Sequence, residues 1–259
     1  MTTGYTEFEF NLPDALLKEL ITVFDGLAPA PLLAANVAAI PEEQGVYQLF
    51  LAPHGQPSLV YIGKTDAAAG LRVRLSRHAT KIQNRLNLNP SIVMFKAVRV
   101  FVFTAVDLET QLIGHYGGTS AVSWNGSGFG SNDPGRERDT TTYKAEHFDT
   151  QFPIDLNRPL SFAVPMTGTA ADILRALKSG LPYLIRFELP SRWSRIAHAD
   201  LEGTTVTINP ALPMTPESII AQTIKQLPPG WHATMLPSHV IIYKNDRRRF
   251  PSGRLLAQS

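Results

Sequence analysis

Seven side chains between residues 47 and 125 have the types that acid–base, phosphate-binding and metal-binding chemistry use. They are Tyr47, Tyr61, Lys64, Arg74, His78, Glu109 and Asn125. Taken singly, each has an ordinary structural explanation: strand tyrosines often belong to a core, and an acid in the first turn of a helix is favoured by the helix dipole. Taken together and in this order, they indicate a functional site.

A hairpin and a helix are predicted to position five of these side chains. The segments Gly45–Leu51 and Ser58–Lys64 read GVYQLFL and SLVYIGK, and the turn-rich APHGQP between them predicts a β-hairpin. Apolar residues at helical spacing predict a helix over residues 70–86. Arg74 and His78 are four residues apart on this helix and therefore share one face.

Less regular elements carry the remaining two side chains. Alternating β-branched and aromatic residues predict a long strand over 92–106, and 107–116 predicts a short helix with Asp107 as its N-cap. The Gly-, Ser- and Asn-rich stretch 117–142 predicts a long loop, and such loops are often functional. An amphipathic helix is predicted upstream, over residues 11–25.

The order of these motifs resembles the GIY-YIG nuclease superfamily. The matching residues are Gly45-Val46-Tyr47, Tyr61-Ile62-Gly63, Arg74, Glu109 and Asn125. The segment 124–136, which reads WNGSGFGSNDPGR, and the histidine four residues after Arg74 resemble the type II restriction endonuclease branch. The resemblance covers residues 40–140 and implies an α/β (α+β) nuclease domain in which a small mixed sheet is flanked by helices.

This resemblance implies a metal-dependent reaction. Glu109 matches the carboxylate that holds a divalent cation, so Mg²⁺ is the implied cofactor, and Mn²⁺ is expected to substitute for it. Such an ion acts as a Lewis acid on the scissile phosphate and on the 3′ leaving oxygen. Arg74 is expected to clamp the phosphate, because a planar guanidinium donates in a fork that suits it.

The resemblance also implies how water is activated. Tyr47 matches the base, and Tyr61 would orient the water or a phosphate oxygen. A phenol with a pKa of about 10 is a poor base at neutral pH. Positive charge from His78 or Lys64 is therefore expected to lower the pKa of Tyr47 or to take the proton onward. Asn125 is expected to hold the geometry by hydrogen bonds, and in-line attack would leave a 5′-phosphate and a 3′-hydroxyl.

Predicted DNA contacts fall into two groups. Cations on the predicted helix and on the strand after it would contact phosphates, which position a duplex without reading its sequence. They are Arg72, Arg77, Lys81, Arg85, Lys96 and Arg99. Polar residues of the loop would read base edges in the major groove. They are Asn132, Asp133, Arg136 and Arg138.

Composition sets limits on the class of protein. The chain has 259 residues, 44% hydrophobic and 18% charged, and a formal net charge of only +2. Residues 64–99 nevertheless hold eight Lys or Arg against the single acid Asp66, so the charge is unevenly distributed. The absence of Cys excludes disulfides, thiolate metal sites and cysteine nucleophiles. Without an apolar span or a signal-like N-terminus, a cytoplasmic protein is expected.

The C-terminal part is predicted to be an accessory domain. Residues 1–158 form the predicted nuclease domain with its N-terminal helix, and residues 159–259 form an α+β domain for dimerisation, DNA binding or targeting. Its strands are predicted at 161–164, 182–189, 204–208 and 240–243, and its helices at 169–179 and 216–227. This β-α-β-β-α-β order is typical of a ferredoxin-like sandwich.

Three functions are compatible with these features. The first is a type II restriction enzyme that cuts double-stranded DNA at a short palindromic, GC-rich site. A palindrome implies two-fold symmetry and hence a homodimer or a homotetramer built as a pair of dimers. The second is a low-specificity or structure-specific nuclease of repair, mobile-element or interbacterial conflict biology. The third is a non-catalytic DNA-binding protein that kept the fold.

Overall fold

The computed structural model describes residues 11–65, 69–101, 108–130, 135–191 and 193–259, together with residues 4, 6 and 7. The described chain is of the mixed α/β class, as predicted, and forms two compact units. The first unit comprises the described residues of 1–79 and 89–126, and the second comprises those of 80–88 and 127–259.

The division therefore differs from the predicted boundary at residue 158. Phe148, Ile154 and Leu156 are fully or almost fully buried, and the last two pack within the hydrophobic core of the second unit. Burying each such side chain contributes about 1.5–3 kcal/mol. The described residues of 127–158 thus group with the second unit, and Ile154 and Leu156 belong to its core. None of the described helices is long and apolar enough to cross a bilayer.

The first unit is built on a four-stranded antiparallel sheet. Its elements are α1 (Leu12–Gly26), β1 (Ala30–Pro31), α2 (Ala34–Ala38), β2 (Gly45–Leu51), β3 (Ser58–Lys64), α3 (Leu71–Gln83), β4 (Val93–Arg99), α4 (Leu108–His115) and α5 (Gly118–Ala121). The strand order is β1-β4-β2-β3, so β2 is central and β3 lies at an edge. The predicted hairpin is confirmed, with Tyr47 opposite Gly63.

Helices α1 and α4 contribute to the core of this unit. Phe24 of α1 and Leu112 of α4 are fully buried with Val46 and Ile62 of the hairpin. The side chain of Asn11 caps α1 by accepting a hydrogen bond from the Asp14 amide at 3.3 Å. An N-cap of this kind satisfies one of the free N–H groups at the start of a helix.

Some predicted boundaries in this region need correction. The helix predicted over 70–86 ends at Gln83, and Asn87 follows in the left-handed region with φ 62°. The strand predicted over 92–106 ends at Arg99, while residues 102–107, including the predicted cap Asp107, lie outside the described residues. The stretch predicted as a loop contains α5 and a 3-10 helix at Arg136–Thr140.

The second unit contains two sheets. Its elements are α6 (Phe148–Gln151), β5 (Thr167–Thr169), α7 (Ala170–Gly180), β6 (Leu184–Phe187), α8 (Ala199–Gly203), β7 (Thr205–Thr207), α9 (Pro216–Lys225), β8 (Trp231–Met235), β9 (His239–Lys244) and β10 (Arg254–Gln258). The larger sheet has the order β10-β8-β9-β6, in which β6 and β9 are parallel and the other neighbours antiparallel. Strands β5 and β7 form a separate antiparallel pair.

A ferredoxin-like sandwich is therefore not formed. Both predicted helices and three of the predicted strands occur, but the strand predicted at 161–164 is replaced by β5. Strand β8, which was not predicted, occupies the antiparallel position beside β9 after a turn at Gly230 with φ 101°. The three predicted strands that occur consequently divide between two sheets, β6 and β9 in the larger and β7 in the smaller, instead of forming one.

A buried carboxylate links three elements of the second unit. Asp139, which is 0% exposed, accepts hydrogen bonds from Arg186 Nη1 at 2.7 and 2.9 Å and from the Tyr243 hydroxyl at 3.0 Å. Its Oδ1 also lies 2.8 Å from His239 Nε2. Burial alone would raise the pKa of Asp139, but the hydrogen bond with His239 and the charge of Arg186 hold that pKa below its ordinary value.

Asp139→Ala is expected to lower the free energy of unfolding by about 3–5 kcal/mol, because it removes the carboxylate from a buried ion pair with Arg186. A depressed pKa stabilises the fold above the ordinary carboxyl pKa of about 3.9, and this contribution is lost as the pH falls through the lower native value. As the pH falls through the acidic range, the free energy of unfolding measured with urea should therefore decrease in the parent by an amount that Asp139→Asn does not show. The exposed Glu146→Gln serves as the control, and equal stability of Asp139→Ala and the parent would contradict this account.

Candidate active site

Two tyrosines and a histidine from three elements meet in the first unit. Tyr47 lies on β2, Tyr61 on β3 and His78 on α3, and the Tyr47 hydroxyl is 2.8 Å from His78 Nε2. The ring centroids are 6.1 Å apart for Tyr47 and Tyr61, 5.5 Å for Tyr47 and His78, and 5.6 Å for Tyr61 and His78. We refer to these three side chains as the Tyr–His cluster.

Gly63 provides the space that this cluster needs. A Cβ atom at this position would overlap the Tyr47 hydroxyl and lie 2.5 Å from Tyr47 Cζ and 2.9 Å from Tyr61 Cε1. Real Cβ atoms do not approach other atoms so closely, because core packing already leaves little free volume. The glycine that ends the YIG motif therefore has a packing explanation: it admits both phenols beside the same backbone.

Thr65 holds the two strands of the hairpin together below the cluster. Its Oγ1 accepts a hydrogen bond from the Gly45 amide at 2.8 Å, and its amide donates to the Gly45 carbonyl at 3.0 Å. The side chain is buried. Sequence reasoning missed Thr65, although the hairpin register, which pairs Val46 with Lys64, would have placed it beside Gly45.

Asn125 completes the free edge of β3. Its Oδ1 accepts from the Ile62 amide at 2.9 Å, and its Nδ2 donates to the Ile62 carbonyl at 2.8 Å. The Trp124 amide donates to the Val60 carbonyl at 2.8 Å, so two consecutive residues pair with the same strand. A carboxamide has one acceptor and one donor side by side, and here it replaces a neighbouring strand. Strand β3 is thereby hydrogen-bonded on both edges next to Tyr61.

Burial dominates the acid–base properties of the two phenols. It raises the pKa of Tyr47 far above the ordinary value, assisted by Tyr61, while the positive charge of Arg74 opposes the shift. It also raises the pKa of Tyr61, with a further contribution from the negative charge of Glu109. Nearby positive charge does lower the pKa of Tyr47, as expected, but the net shift is upward because desolvation outweighs Arg74.

These shifts also place two charged side chains near the cluster. Both Arg74 and Glu109 influence the pKa of Tyr47 and of Tyr61, so both charges are within electrostatic range of both phenols. Arg74 Nε is buried and has no hydrogen-bond partner among the described residues. Such a donor costs about 1–3 kcal/mol when unpaired, so it favours the binding of an oxygen acceptor.

The donor atoms at this site suit a hard cation. Glu109 is half-buried in the first turn of α4 and supplies a carboxylate, and the nearby Tyr61 supplies a phenol oxygen. Within the described ranges, no group of three or more His, Cys, Asp or Glu side chains is arranged to hold a metal ion. One carboxylate fits Mg²⁺ better than a transition metal, because Mg²⁺ keeps several of its waters.

Several cations of the predicted DNA-binding strip are engaged with other groups in the first unit. Arg72 pairs with Glu42 at 2.7 Å, and Arg99 pairs with Glu43 at 3.1 Å. Lys96 Nζ donates to the Phe24 carbonyl at 2.7 Å. Surface pairs of this kind contribute little stability, but they neutralise much of the charge that the strip presents.

Arg77 and Lys64 are two further cations of the basic segment 64–99. Both residues are exposed, Arg77 on α3 and Lys64 at the end of β3. Lys64 follows Gly63 directly and therefore leaves the hairpin next to the Tyr–His cluster. Among the described cations of residues 64–99, Arg99 is the third that is exposed.

Lys81 and Arg85 pack inside the second unit. Lys81 Nζ donates to the Phe129 carbonyl and lies 5.1 Å from the centroid of that ring. Burial and the neighbouring Arg85 lower the pKa of Lys81 to about 8. Arg85 forms a buried ion pair with Asp149 at 2.7 Å and donates to the Phe152 carbonyl at 2.9 Å. Lys81 and Arg85 therefore contribute to packing inside the second unit. Their positions do not support the predicted phosphate contacts.

The predicted base-reading residues do not form one group. Asn132 and Asp133 lie outside the described residues. Arg136 is exposed, and its guanidinium lies 5.9 Å from the centroid of the Tyr243 ring. Arg138 Nη2 is 3.0 Å from His147 Nε2. The two arginines thus have different neighbours within the second unit.

Comparison of the sequence with protein-family models found no match, and comparison with curated proteins found no significant match. The assignment of this site therefore depends on its residues and geometry. The observations that bear on it are the cluster of two phenols and an imidazole, the buried Arg74 Nε and the carboxylate of Glu109.

Asn125→Asp is expected to lower the free energy of unfolding by about 1–3 kcal/mol, because a carboxylate oxygen would face the Ile62 carbonyl and no donor would remain. Urea unfolding followed by circular dichroism measures the change. Asn36→Asp is the matched control, since the Asn36 amide donates to the Pro31 carbonyl at an exposed position. Equal effects of the two substitutions would show that the Asn125 pairing does not hold β3.

Proposed function

We propose that the chain is a Mg²⁺-dependent endonuclease of the GIY-YIG type that hydrolyses phosphodiester bonds of double-stranded DNA. The observation that carries this proposal is the convergence of the Tyr–His cluster with the charges of Arg74 and Glu109. Phosphodiester cleavage needs an activated water, a cation for the phosphoryl oxygens and help for the leaving oxygen. The first unit contains a group suited to each of the first two tasks, and Glu109 is suited to the third through a bound cation.

Water activation proceeds through a proton relay in this proposal. A free Tyr47 phenolate is disfavoured, because burial raises the pKa of Tyr47. The 2.8 Å contact between its hydroxyl and His78 Nε2 offers another route. As the water oxygen bonds to phosphorus, the water proton moves to the Tyr47 oxygen while the Tyr47 proton moves to His78 Nε2. The bond from phosphorus to the 3′ oxygen breaks, and that oxygen takes a proton from solvent.

Arg74 holds the phosphate in this scheme. Its buried Nε has no partner among the described residues, and a non-bridging phosphate oxygen would satisfy it. Guanidinium–phosphate hydrogen bonds are charge-assisted and roughly twice as strong as neutral ones. The pairing would also place the phosphorus near the two phenols, since Arg74 lies within electrostatic range of both.

Glu109 is the residue that would hold the divalent cation, with Mg²⁺ as the expected ion and Mn²⁺ as a substitute. When bound, the ion supplies Lewis-acid stabilisation of the phosphoryl and leaving oxygens. Tyr61 would orient the attacking water or a phosphate oxygen beside it. The products are a 5′-phosphate and a 3′-hydroxyl.

Within this class, we favour a type II restriction enzyme that acts on a short palindromic, GC-rich site as a homodimer or homotetramer. The support for this choice is the segment 124–136, whose Trp124 and Asn125 pair with β3 next to the cluster. Plasmid DNA of known sequence, digested with Mg²⁺ and followed by end-sequencing, tests it. Discrete fragments with one recurrent end sequence would support restriction, a smear would indicate the low-specificity nuclease, and binding without any cleavage would indicate a non-catalytic protein.

Glu109→Gln and Tyr47→Phe are expected to abolish cleavage while leaving the fold intact. Loss of the acid–base phenol alone should reduce the rate by about 10²–10⁴-fold, and loss of the cation ligand by a comparable factor. Single-turnover cleavage rates and thermal unfolding together measure both effects. The exposed Glu146→Gln controls for the loss of a carboxylate, and unchanged turnover in Tyr47→Phe would exclude the relay.

Gly63→Ala is expected to slow cleavage by about 10²-fold, because the added methyl group displaces the Tyr47 hydroxyl and small misplacements have effects of this size. Gly114→Ala is the matched control, since no atom lies within 4 Å of a Cβ built at Gly114. Cleavage rates of the two variants are compared after thermal unfolding has shown that both are folded. A rate for Gly63→Ala equal to that of Gly114→Ala would mean that the position of Tyr47 does not limit the reaction.

A further inference from the structure

A polar cleft of about 250 Å³ opens in the second unit beside the end of β9. Three cations, Arg136, Lys244 and Arg248, line it together with the Tyr243 ring. The carboxylates of Glu188 and Asp246 also line it. The lining is thus strongly charged, with one more cation than carboxylate.

Two of these cations, Arg136 and Arg248, lie near the face of the Tyr243 ring. The guanidinium carbon of Arg136 lies 5.9 Å from the ring centroid, and that of Arg248 lies 5.3 Å from it. Contacts of this kind attract a cation to the face of an aromatic ring. The ring cannot turn freely, because its hydroxyl donates to the buried Asp139 at 3.0 Å.

Carboxylates in and beside the cleft pair with two of its three cations. Asp246 accepts from Nε of Arg248 at 2.9 Å and from its Nη2 at 2.5 Å, so Nη1 is not used in this pair. Lys244 Nζ pairs with Asp200 at 2.7 Å. Glu188 accepts from the Lys244 backbone amide at 2.8 Å. Arg136 forms no ion pair with any carboxylate of the described chain, so its charge is available to a ligand.

Two further exposed cations extend the positive charge along the chain. Arg247 and Arg249 flank Arg248, and both are exposed. A row of exposed arginines at an open cleft suits a linear polyanion better than a small enclosed anion. Guanidinium groups match phosphate oxygens in geometry and remain charged at all relevant pH values.

We propose that this cleft binds the phosphodiester backbone of DNA, with Arg136 and Arg248 as the contacting residues. The identity of the polyanion rests on the proposed nuclease function, and the cleft would be a DNA contact in addition to the candidate active site. Phosphate contacts hold a duplex in place but carry no sequence information. Arg136 would accordingly hold DNA instead of reading bases as the sequence predicted.

The test measures binding of the full chain to a fluorescent duplex of mixed sequence in EDTA, where cleavage does not interfere. The double variant Arg136→Ala/Arg248→Ala is expected to bind at least about tenfold more weakly, since two charge-assisted hydrogen bonds are lost. Each lost phosphate contact should reduce the steepness of log Kobs against log salt by about 0.9, so the double variant should lose about 1.8. Arg136→Lys/Arg248→Lys should keep most of this salt dependence.

Lys225→Ala removes an exposed cation of the same unit that does not line the cleft, and it should bind like the parent. Parent-like affinity and salt dependence in the folded double variant would overturn the proposal even if the protein cuts DNA. Weaker binding of that variant would support it even if no cleavage were found, so the two proposals fail separately. If the double variant lost affinity for inorganic phosphate but kept its affinity for DNA, the cleft would be a small-anion site and the proposal would be overturned.

Discussion

The register of the β2–β3 hairpin sets the positions of the two phenols in the candidate active site. It places Tyr47 opposite Gly63, and only a glycine there leaves room for the phenols of Tyr47 and Tyr61. A slip of one residue would turn each side chain to the other face of the sheet. Thr65 accepts a hydrogen bond from the Gly45 amide across the hairpin, and Asn125 pairs with Ile62, the residue after Tyr61. The hydrogen bonds of Thr65 and Asn125 therefore influence the site by holding the strands in register.

Close packing has an electrostatic consequence. The same burial that fixes Tyr47 raises its pKa, so the protein does not store a ready phenolate. Proton transfer along the contact with His78 avoids that charge, since the phenol loses one proton as it gains another. Burial also leaves Arg74 Nε without a partner among the described residues, which favours an anionic oxygen at this point. Burial thus disfavours a phenolate at Tyr47 and favours the binding of an anionic oxygen at Arg74.

The sequence predicted the elements that depend on local signals. The hairpin followed from two apolar runs around a turn, and α3 with the shared face of Arg74 and His78 followed from helical spacing. Contacts between distant residues were missed. Thr65 and Asp139 are ordinary polar residues in the sequence, and only the tertiary structure brings Asp139 to Arg186 and Tyr243.

The predicted sheet topology of the second unit was wrong for a related reason, although most of its elements were located correctly. Local patterns located α7, α9 and β9 but carry no information on which strands become neighbours. Strand β8 is short and mixed in composition, yet it takes the place beside β9 that a ferredoxin-like sheet would give to another strand. Pairing is decided by long-range burial, so a β-α-β-β-α-β order is compatible with several sheets.

Charge illustrates the same limit. Eight cations between residues 64 and 99 predict a basic strip, but Arg72 and Arg99 pair with Glu42 and Glu43, and Arg85 is buried with Asp149. A count of cations overstates the field that an approaching polyanion meets, because a paired cation is partly neutralised. The cations that best indicate a phosphate-binding site are those that form no ion pair with an acidic side chain among the described residues. By this criterion Arg74, within the strip, and Arg136, outside it, are better candidates for phosphate binding than the paired cations.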